Sequence, residues 1–388
     1  MVRDSNGGDV QTRRDYIKGS GALLAGGLLA GCAGQTGSES EGTNGRASST
    51  TGSRSTDGPY TVSMEPVGKV EFDSVPETWV ANNGSWADMG VALGLEPPKG
   101  VWLTSRYHTQ YYEGIDGVSV DKSGMISLYQ DGVNKERFYQ LDADVHIMDP
   151  NFLINRFKGW KQADVDEIHD TIGPVFGNCI YAQHYPWHEE SRYYTLMEGF
   201  RKLAQVFKRT DRYETFVDVH EAFQSNLEPV VPARSERPSV AVMWGTGDEP
   251  KQFYPYVIGD GTGFKHLNDL GVKDALATTD IKDFHGSRGA IDIETLLEVD
   301  PEVLLLRGYE AKSEAEFRNT VVGFLQNHTV ASNLTAVENG DVYRAGGLYQ
   351  GPITNLVLTQ RLAKQLYGVE TTLFDRQKVA AIVNGELK

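Results

Sequence analysis

Short apolar runs alternate with longer polar stretches of helix-forming composition between residues 60 and 160. The apolar runs cover residues 78–81, 101–104, 125–129 and 145–148. Such runs, separated by helical patterns, are typical of strands that alternate with helices. This part of the chain is therefore predicted to form an α/β lobe.

Residues 189–231 have a different pattern, in which helix-forming residues dominate and Gly and Pro are almost absent. Thr210 and Asp211 offer an N-cap for a helix that runs to Leu227 and ends before Pro229. Because nothing in this stretch favours strands, it is predicted to be a helical connector.

The α/β pattern restarts after the connector, with strands predicted at 240–244 and 303–306 and a helix at 264–270. The predicted fold class is α/β, with two α/β lobes joined by a single long rigid helix and a ligand cleft between the lobes. The predicted boundaries are 59–209 for the N-terminal lobe, 210–231 for the connecting helix and 232–388 for the C-terminal lobe.

The two halves share a spacing of acidic residues. Glu136 lies eight residues before Asp144, and Glu294 lies eight residues before Glu302. Asp144 and Glu302 each stand at the start of an apolar run that is predicted to be a strand. A helix that feeds a strand in each half explains the repeat, because a carboxylate is favoured in the first turn of a helix. An equally simple interpretation is that both glutamates are ordinary first-turn residues.

The first residues have the layout of an export signal. Arg13 and Arg14 are followed by an aromatic residue, an aliphatic residue and Lys18, and then by the uncharged stretch 19–31. That stretch is shorter than the roughly 20 apolar residues that span a bilayer. Residues 1–31 are predicted to be a twin-arginine lipoprotein signal peptide, although the arginine pair could also be accidental.

Cys32 follows Leu29, Ala30 and Gly31, a sequence that resembles a lipobox. Residues 33–58 are nearly all small, polar or charged, so residues 32–58 are predicted to be a disordered tether. A lipid on Cys32 would be the only covalently bound group and would hold the protein at the extracytoplasmic face of the cell membrane. The alternative is that Cys32 is a small residue near an ordinary cleavage site.

The cysteine content and the net charge argue against two kinds of feature, a structural disulfide and a nucleic-acid-binding surface. The chain has only two cysteines, so with Cys32 lipidated Cys179 has no partner and no structural disulfide is predicted. With 53 acidic and 37 basic residues the net charge is −16, which disfavours binding to nucleic acid. A net charge this negative resembles that of the acidic surfaces of haloarchaeal proteins. By itself it does not indicate which ligand is bound.

Several short segments resemble one family. They are Val75-Pro76 before the first strand, Ala92-Leu93-Gly94 at a helix end, the helix with Leu-Gly at 264–271, and the Asn-Gly-Asp-Val-Tyr sequence at 339–343. In this order and spacing they resemble the ferric siderophore and cobalamin class of ABC importer substrate-binding proteins. The resemblance covers nearly all of residues 60–388.

The resemblance implies a monomeric receptor, not an enzyme, that binds a ferric siderophore-type metal chelate. It implies delivery of the iron(III) chelate to a permease dimer with its ATPase. Family members place one glutamate on each lobe to dock onto permease arginines, and the matching positions are Glu136 and Glu294. Two exposed carboxylates at a fixed separation would also set docking register on physical grounds.

The ligand is expected between the lobes, in loops at the carboxyl ends of the strands. Those loops are rich in aromatic and basic residues, which suit a bulky anionic or aromatic chelate. The predicted ligand-binding residues are Trp86, Arg106, Tyr107, Tyr181, His184, Trp187, Trp244, Tyr254, Tyr256, Arg307 and Tyr349.

Other interpretations remain open. Cobalamin, haem or a bare metal ion could be the solute, and His184 and His188 have the i, i+4 spacing of metal ligands on a helix, although Pro186 lies between them. A secreted enzyme is a rival of another class. The sequence has no Gly-x-Ser-x-Gly or His-Glu-x-x-His motif, and Cys179 could be a nucleophile only beside a histidine.

Overall fold

The computed structural model describes residues 58–130, 132–188 and 192–386. The predicted signal peptide and nearly all of the predicted tether, including Cys32, lie outside the described residues. The described chain begins with an antiparallel hairpin of strands β1 (Tyr60–Met64) and β2 (Gly68–Phe72). Alternate residues of both strands are buried, which is the pattern of a hairpin with one face on the core.

The N-terminal half is built on a parallel sheet of four short strands in the order β5-β4-β3-β6. The strands are β3 (Trp79–Ala81), β4 (Gly100–Val101), β5 (Ile126–Ser127) and β6 (Val145–Ile147). The helices around it are α1 (Gly84–Ala92), α2 (Lys135–Leu141), α3 (Pro150–Arg156) and α4 (Gln162–Thr171). Each apolar run of the sequence therefore overlaps one strand of this sheet, although β4 shares only Val101 with its run.

Two helices follow, α5 (Leu196–Val206) and α6 (Thr210–Leu227). Helix α6 ends at Leu227 because Pro229 follows in the next turn. The predicted N-cap is wrong, since Thr210 and Asp211 both lie in the first turn of the helix and Arg209 occupies the N-cap position. Its buried residues are Phe216, Val219, Phe223 and Leu227, at the spacing of one helix face. The role of α6 as a rigid connector remains a prediction, as do the exact lobe boundaries.

The C-terminal half contains a sheet in the order β10-β8-β7-β11-β12, with β9 also paired to β7. The strands are β7 (Ser239–Trp244), β8 (Gln252–Tyr256), β9 (Lys273–Asp274), β10 (Ile291–Asp292), β11 (Val303–Arg307) and β12 (Val342–Arg344). Strands β7, β9, β11 and β12 are parallel, and β8 runs antiparallel to β7 and β10. The predicted α/β fold class is confirmed.

The helices of this half are mostly short. They are α7 (Lys265–Leu270), α8 (Phe284–Ser287), α9 (Ile293–Val299), α10 (Glu314–Phe317), α11 (Gly323–Asn327), α12 (Thr335–Glu338), α13 (Pro352–Tyr367) and α14 (Arg376–Asn384). The last two return to the N-terminal half, where α13 packs on α1 and α14 packs on α1 and α6. One large hydrophobic core therefore contains residues from both ends of the described chain, such as Trp79 and Ile382.

Two buried carboxylates connect the halves. Asp88 on α1 accepts hydrogen bonds from the backbone amides of Ile353 and Thr354, at 2.9 and 3.2 Å, and so caps α13. Glu310, just after β11, accepts from Arg361 at 3.0 Å on each oxygen and from the hydroxyl of Tyr111 at 2.6 Å. Because Tyr111 belongs to the N-terminal half, this network fixes the two halves against each other.

Burial alone would raise the pKa of Glu310, but the Arg361 guanidinium and the Tyr111 hydroxyl outweigh it and lower the pKa to about 2. A carboxylate with a depressed folded-state pKa stabilises the fold above its unfolded pKa and loses that contribution as the pH falls towards the folded value. For Glu310 this window lies between the usual value of 4.5 and about 2.

We predict that Glu310→Gln lowers the free energy of unfolding at pH 7 by roughly 3 kcal/mol, because the partly buried Arg361 loses its charge partner. The loss should shrink as the pH is lowered through the window of Glu310 titration. Urea unfolding at several pH values measures both effects, with Glu214→Gln, an exposed carboxylate on α6, as the control. Equal stabilities of Glu310→Gln and wild type at pH 7 would contradict this account.

Candidate ligand-binding cleft

A cavity of about 250 Å³ lies between the two halves. Its walls come from segments at the ends of β4, β6, β7 and β12, from β8 and from α8, which is the edge where ligands bind to open α/β sheets. The lining residues are Trp102, Arg106, Phe152, Arg156, Tyr181, Tyr185, Trp244, Tyr254, Tyr256, Phe284, His285, Arg288, Leu348 and Tyr349. The described chain therefore has a solute-sized space where the sequence predicted a cleft.

Aromatic rings in edge-to-face contact form much of the wall. Tyr181 meets Tyr349 with ring centroids 5.0 Å apart and shares a hydroxyl hydrogen bond of 2.8 Å with Tyr185. His285 lies against Tyr185 and Tyr256, with centroid distances of 5.1 and 5.0 Å. Burial raises the pKa of Tyr256 to about 12, so its phenol stays protonated and can donate a hydrogen bond. The wall therefore offers flat apolar faces with phenolic donors.

Three arginines give the cavity a positive lining. Arg106, Arg156 and Arg288 all contribute to it, and none of them forms a salt bridge within the described part of the chain. Arg106 crosses the cleft, because its guanidinium lies 4.5 Å from the ring centre of Trp244 in the opposite half. Among the described residues the wall contains no Asp or Glu. In a protein of net charge −16, this is a local reversal of sign that favours an anionic solute.

Arg307 lies behind the wall, where it is fully buried. Its guanidinium is 5.1 Å from the ring centre of Tyr256 and 4.5 Å from that of Phe264. Nε and Nη1 have no hydrogen-bond partner in the described residues, while Nη2 donates to the carbonyl of Gly263. Burial lowers the pKa of Arg307 to about 10, which leaves the side chain charged at neutral pH. It therefore adds positive potential through the ring of Tyr256 without lining the cavity.

The predicted residues divide into two groups. The cavity is lined by Arg106, Tyr181, Trp244, Tyr254, Tyr256 and Tyr349, and their contact with a ligand remains a prediction. The remaining predicted residues are Trp86, Tyr107, His184, Trp187 and Arg307.

Each residue of the second group has a different position. Trp86 is fully buried within α1, and Tyr107 is buried with its hydroxyl 2.9 Å from that of Tyr112. Trp187 stacks on Tyr185 at a centroid distance of 4.2 Å, outside the lining. His184 faces Asp283 in the other half.

The lining also contains residues that the sequence did not suggest. They are Trp102, Phe152, Arg156, Tyr185, Phe284, His285, Arg288 and Leu348. Trp102 directly follows β4, so the rule that selected Arg106 could have selected it as well. The residues of α8 had no such signal, because a four-residue helix has no usable hydrophobic period.

The segments around Glu136 and Glu294, which share a spacing in the sequence, also have the same local structure. Each glutamate is in the first turn of a seven-residue helix, α2 or α9, that ends in a left-handed aspartate with φ of 41° and leads into a strand. A helix that connects parallel strands runs antiparallel to them, so its first turn lies at the edge where the strands end. Both side chains are exposed. The predicted helix-to-strand repeat is therefore confirmed, with both carboxylates at the cleft edge of their own sheets.

These features define a two-lobed solute-binding protein with its site between the lobes. The family model described as periplasmic binding protein matches residues 80–347, and the chain belongs to that family. Its members bind solutes outside the cytoplasm and are not enzymes, so the rival interpretation as a secreted enzyme is wrong. No helix of the described residues is both long and apolar enough to cross a membrane.

Several solved structures share the fold. A periplasmic solute binding protein from Mycobacterium smegmatis has a TM-score of 0.55 and 15% identity, with 80% of this chain and 99% of that chain covered. The siderophore binding protein BauB, bound to ferric iron with two molecules of acinetobactin, has a TM-score of 0.54 and 19% identity, with 81% and 100% covered.

A third similar structure is that of PiuA from Streptococcus pneumoniae, an iron uptake ABC transporter substrate-binding protein. Its TM-score is 0.53 and its identity 16%, with 79% of this chain and 98% of that chain covered. None of the curated protein sequences is similar enough to this chain to count as a match. The structural likenesses establish the fold.

We predict that ligand binding quenches tryptophan fluorescence, because Trp102 and Trp244 both line the cavity. Trp244→Phe and Trp102→Phe should each remove part of the quenching. Trp160→Phe, which lies in the core beside Phe138, should leave it intact and is the control. Full quenching in the variant that lacks both cavity tryptophans would place the ligand elsewhere.

Proposed function

We propose that the protein is the extracytoplasmic, lipid-anchored receptor of an ABC importer and that its cargo is a ferric siderophore-type chelate. The observation that carries the proposal is the interlobe cavity, in which aromatic rings and three arginines are not balanced by any carboxylate of the described wall. Ferric complexes of catecholates and hydroxycarboxylates are anionic and present flat faces. Arginine and tyrosine match both properties, because they combine planar contact surface with hydrogen-bond donors.

The size of the cavity favours a compact chelate. About 250 Å³ lies just below the roughly 300–1,000 Å³ that is usual for ligand pockets. Because Arg156 and Arg288 are exposed, we infer that the cavity opens to solvent at its rim and that part of a larger chelate would extend past them. Cobalamin is much bulkier and fits less well, while haem, a flat dianion, remains the second candidate. The similar fold of BauB, which binds a ferric siderophore complex, also supports the assignment.

Delivery to the permease would use Glu136 and Glu294. Both carboxylates are exposed and neither forms an ion pair within the described part of the chain. Their equivalent places on α2 and α9 put one charge on each half at the cleft edge. Two such charges at a fixed separation would set the register of docking on a basic membrane partner.

Anchoring would depend on the N-terminal segment. We propose that residues 1–31 act as a twin-arginine signal that directs export of the protein. A lipid would then be attached at Cys32, and residues 32–58 would form the tether. The receptor would act as a monomer, because each chain carries both halves of the cleft.

We predict that replacing the cavity arginines weakens an anionic ligand. Arg106→Gln should lower the affinity for a ferric tris-catecholate by at least about tenfold, since a charge-assisted hydrogen bond is worth roughly 1.5–3 kcal/mol. Isothermal titration calorimetry at constant ionic strength measures the loss, and Arg201→Gln, an exposed arginine on α5, is the matched control.

The same titration tests the proposed class of ligand. The loss should be much smaller for an uncharged ferric hydroxamate than for the anionic chelate. Unchanged binding of the anionic chelate by the Arg106, Arg156 and Arg288 triple variant would remove the arginines from the site.

We predict that Glu136→Ala combined with Glu294→Ala abolishes uptake and leaves ligand affinity unchanged. Uptake of radioactive iron by cells and calorimetry on the purified protein measure the two properties separately. The matched control is Asp170→Ala with Glu298→Ala, which removes one exposed carboxylate from α4 and one from α9. Normal uptake by the glutamate variant would show that docking uses other residues.

A further inference from the structure

Three possible metal ligands meet across the cleft. His184 comes from the N-terminal half, while Asp283 and His285 lie at the start of α8 in the C-terminal half. One donor atom of each residue lies within 4.8 Å of the other two. The pairing of His184 with His188 suggested by their spacing does not occur, because His188 faces Asp149 with a nitrogen-to-oxygen distance of 3.9 Å.

Asp283 presents one carboxylate oxygen to each histidine. Its Oδ1 is 3.0 Å from Nδ1 of His285, and its Oδ2 is 3.8 Å from Nδ1 of His184. The carboxylate is held in place by backbone amides, since Oδ1 accepts from His285 and Oδ2 accepts from Val257. Two imidazoles and one carboxylate are thus gathered around a common point.

The distances are close to those of a metal centre. Zinc binds imidazole nitrogen and carboxylate oxygen at about 2.0–2.2 Å, so neighbouring ligands of a tetrahedral site are about 3.4 Å apart. A shift of a few tenths of an ångström would bring His184 to that separation from Asp283. Nδ1 of His184 is buried and has no hydrogen-bond partner in the described residues, so a bound ion would supply the missing interaction.

The surrounding backbone fits His184 closely. A Cβ atom at Gly259 would lie 2.8 Å from Cε1 of His184, so a side chain at this position would displace the ring from its present place against the C-terminal half. The carboxylate of Asp274, which accepts from the amides of Ile258 and Leu276, interacts electrostatically with His184 and Asp283. It adds negative charge beside the cluster and offsets part of the repulsion from the cavity arginines.

We propose that His184, Asp283 and His285 form a site for a divalent transition-metal ion that connects the two halves of the protein. Imidazole and carboxylate donors suit Zn²⁺, Co²⁺ and similar ions. Three protein ligands leave a fourth position open, as in zinc sites that accept an exogenous ligand. Because His285 also lines the cavity, the open position borders the solute site. The inference does not depend on a ferric chelate being the solute.

Co²⁺ titration of the full chain, freed of metal with a chelator, tests this site. We expect one Co²⁺ per chain with the visible absorption bands of a tetrahedral or five-coordinate site, and displacement by Zn²⁺. His184→Ala and His285→Ala should each weaken binding at least tenfold. His220→Ala, on α6 and outside the cluster, should bind as wild type does.

His184→Ala is the decisive variant, because the His184 side chain is 31% exposed and its loss should spare the fold, which circular dichroism checks. No stoichiometric Co²⁺ binding by the wild type, or equal binding by His184→Ala, would overturn the proposal. Binding of a ferric tris-catecholate, measured by tryptophan fluorescence on the same metal-free samples, tests the proposed receptor function independently. Failure of the metal site and failure of the receptor function can therefore be distinguished.

Discussion

The hydrogen-bonded carboxylate of Glu310 is the constraint on which the cleft depends. Arg361 binds both of its oxygens, Tyr111 donates from the opposite half, and the amide of Gly346 donates from the segment after β12. The next amide, that of Gly347, donates to the hydroxyl of Tyr111. Because a buried carboxylate is costly when it lacks partners, each of these contacts stabilises the others.

The network positions the wall of the cavity. Leu348 and Tyr349 directly follow the two glycines, and both line the cavity. Tyr349 then meets Tyr181 from the N-terminal half. Polar and aromatic contacts therefore join the two sides of the cleft, and Arg106 adds a further one by placing its guanidinium against Trp244. If a solute binds in this cavity as we propose, the contacts that already join the two sides would limit the ordering cost of binding.

The sequence was most informative about regular elements. Strands of the parallel sheets are apolar runs between helical stretches, so their positions could be predicted, and the rule that ligands bind beyond strand ends led to Arg106, Trp244 and Tyr349. It was less informative about side-chain direction. Arg307 ends β11 as Trp244 ends β7, and the two are register partners, yet Trp244 reaches the cavity while Arg307 is buried behind Tyr256. Helix α8, which supplies Phe284 and His285 and is followed by Arg288, is too short for periodicity to predict.

We propose above that the cleft carries an anionic iron(III) chelate, although the overall charge of the protein is strongly negative. Native mass spectrometry of the protein purified from its own cells tests this most directly. We expect one noncovalent adduct per chain whose mass and isotope pattern fit an anionic chelate containing ferric iron. An adduct that is uncharged or cationic and lacks iron would contradict it.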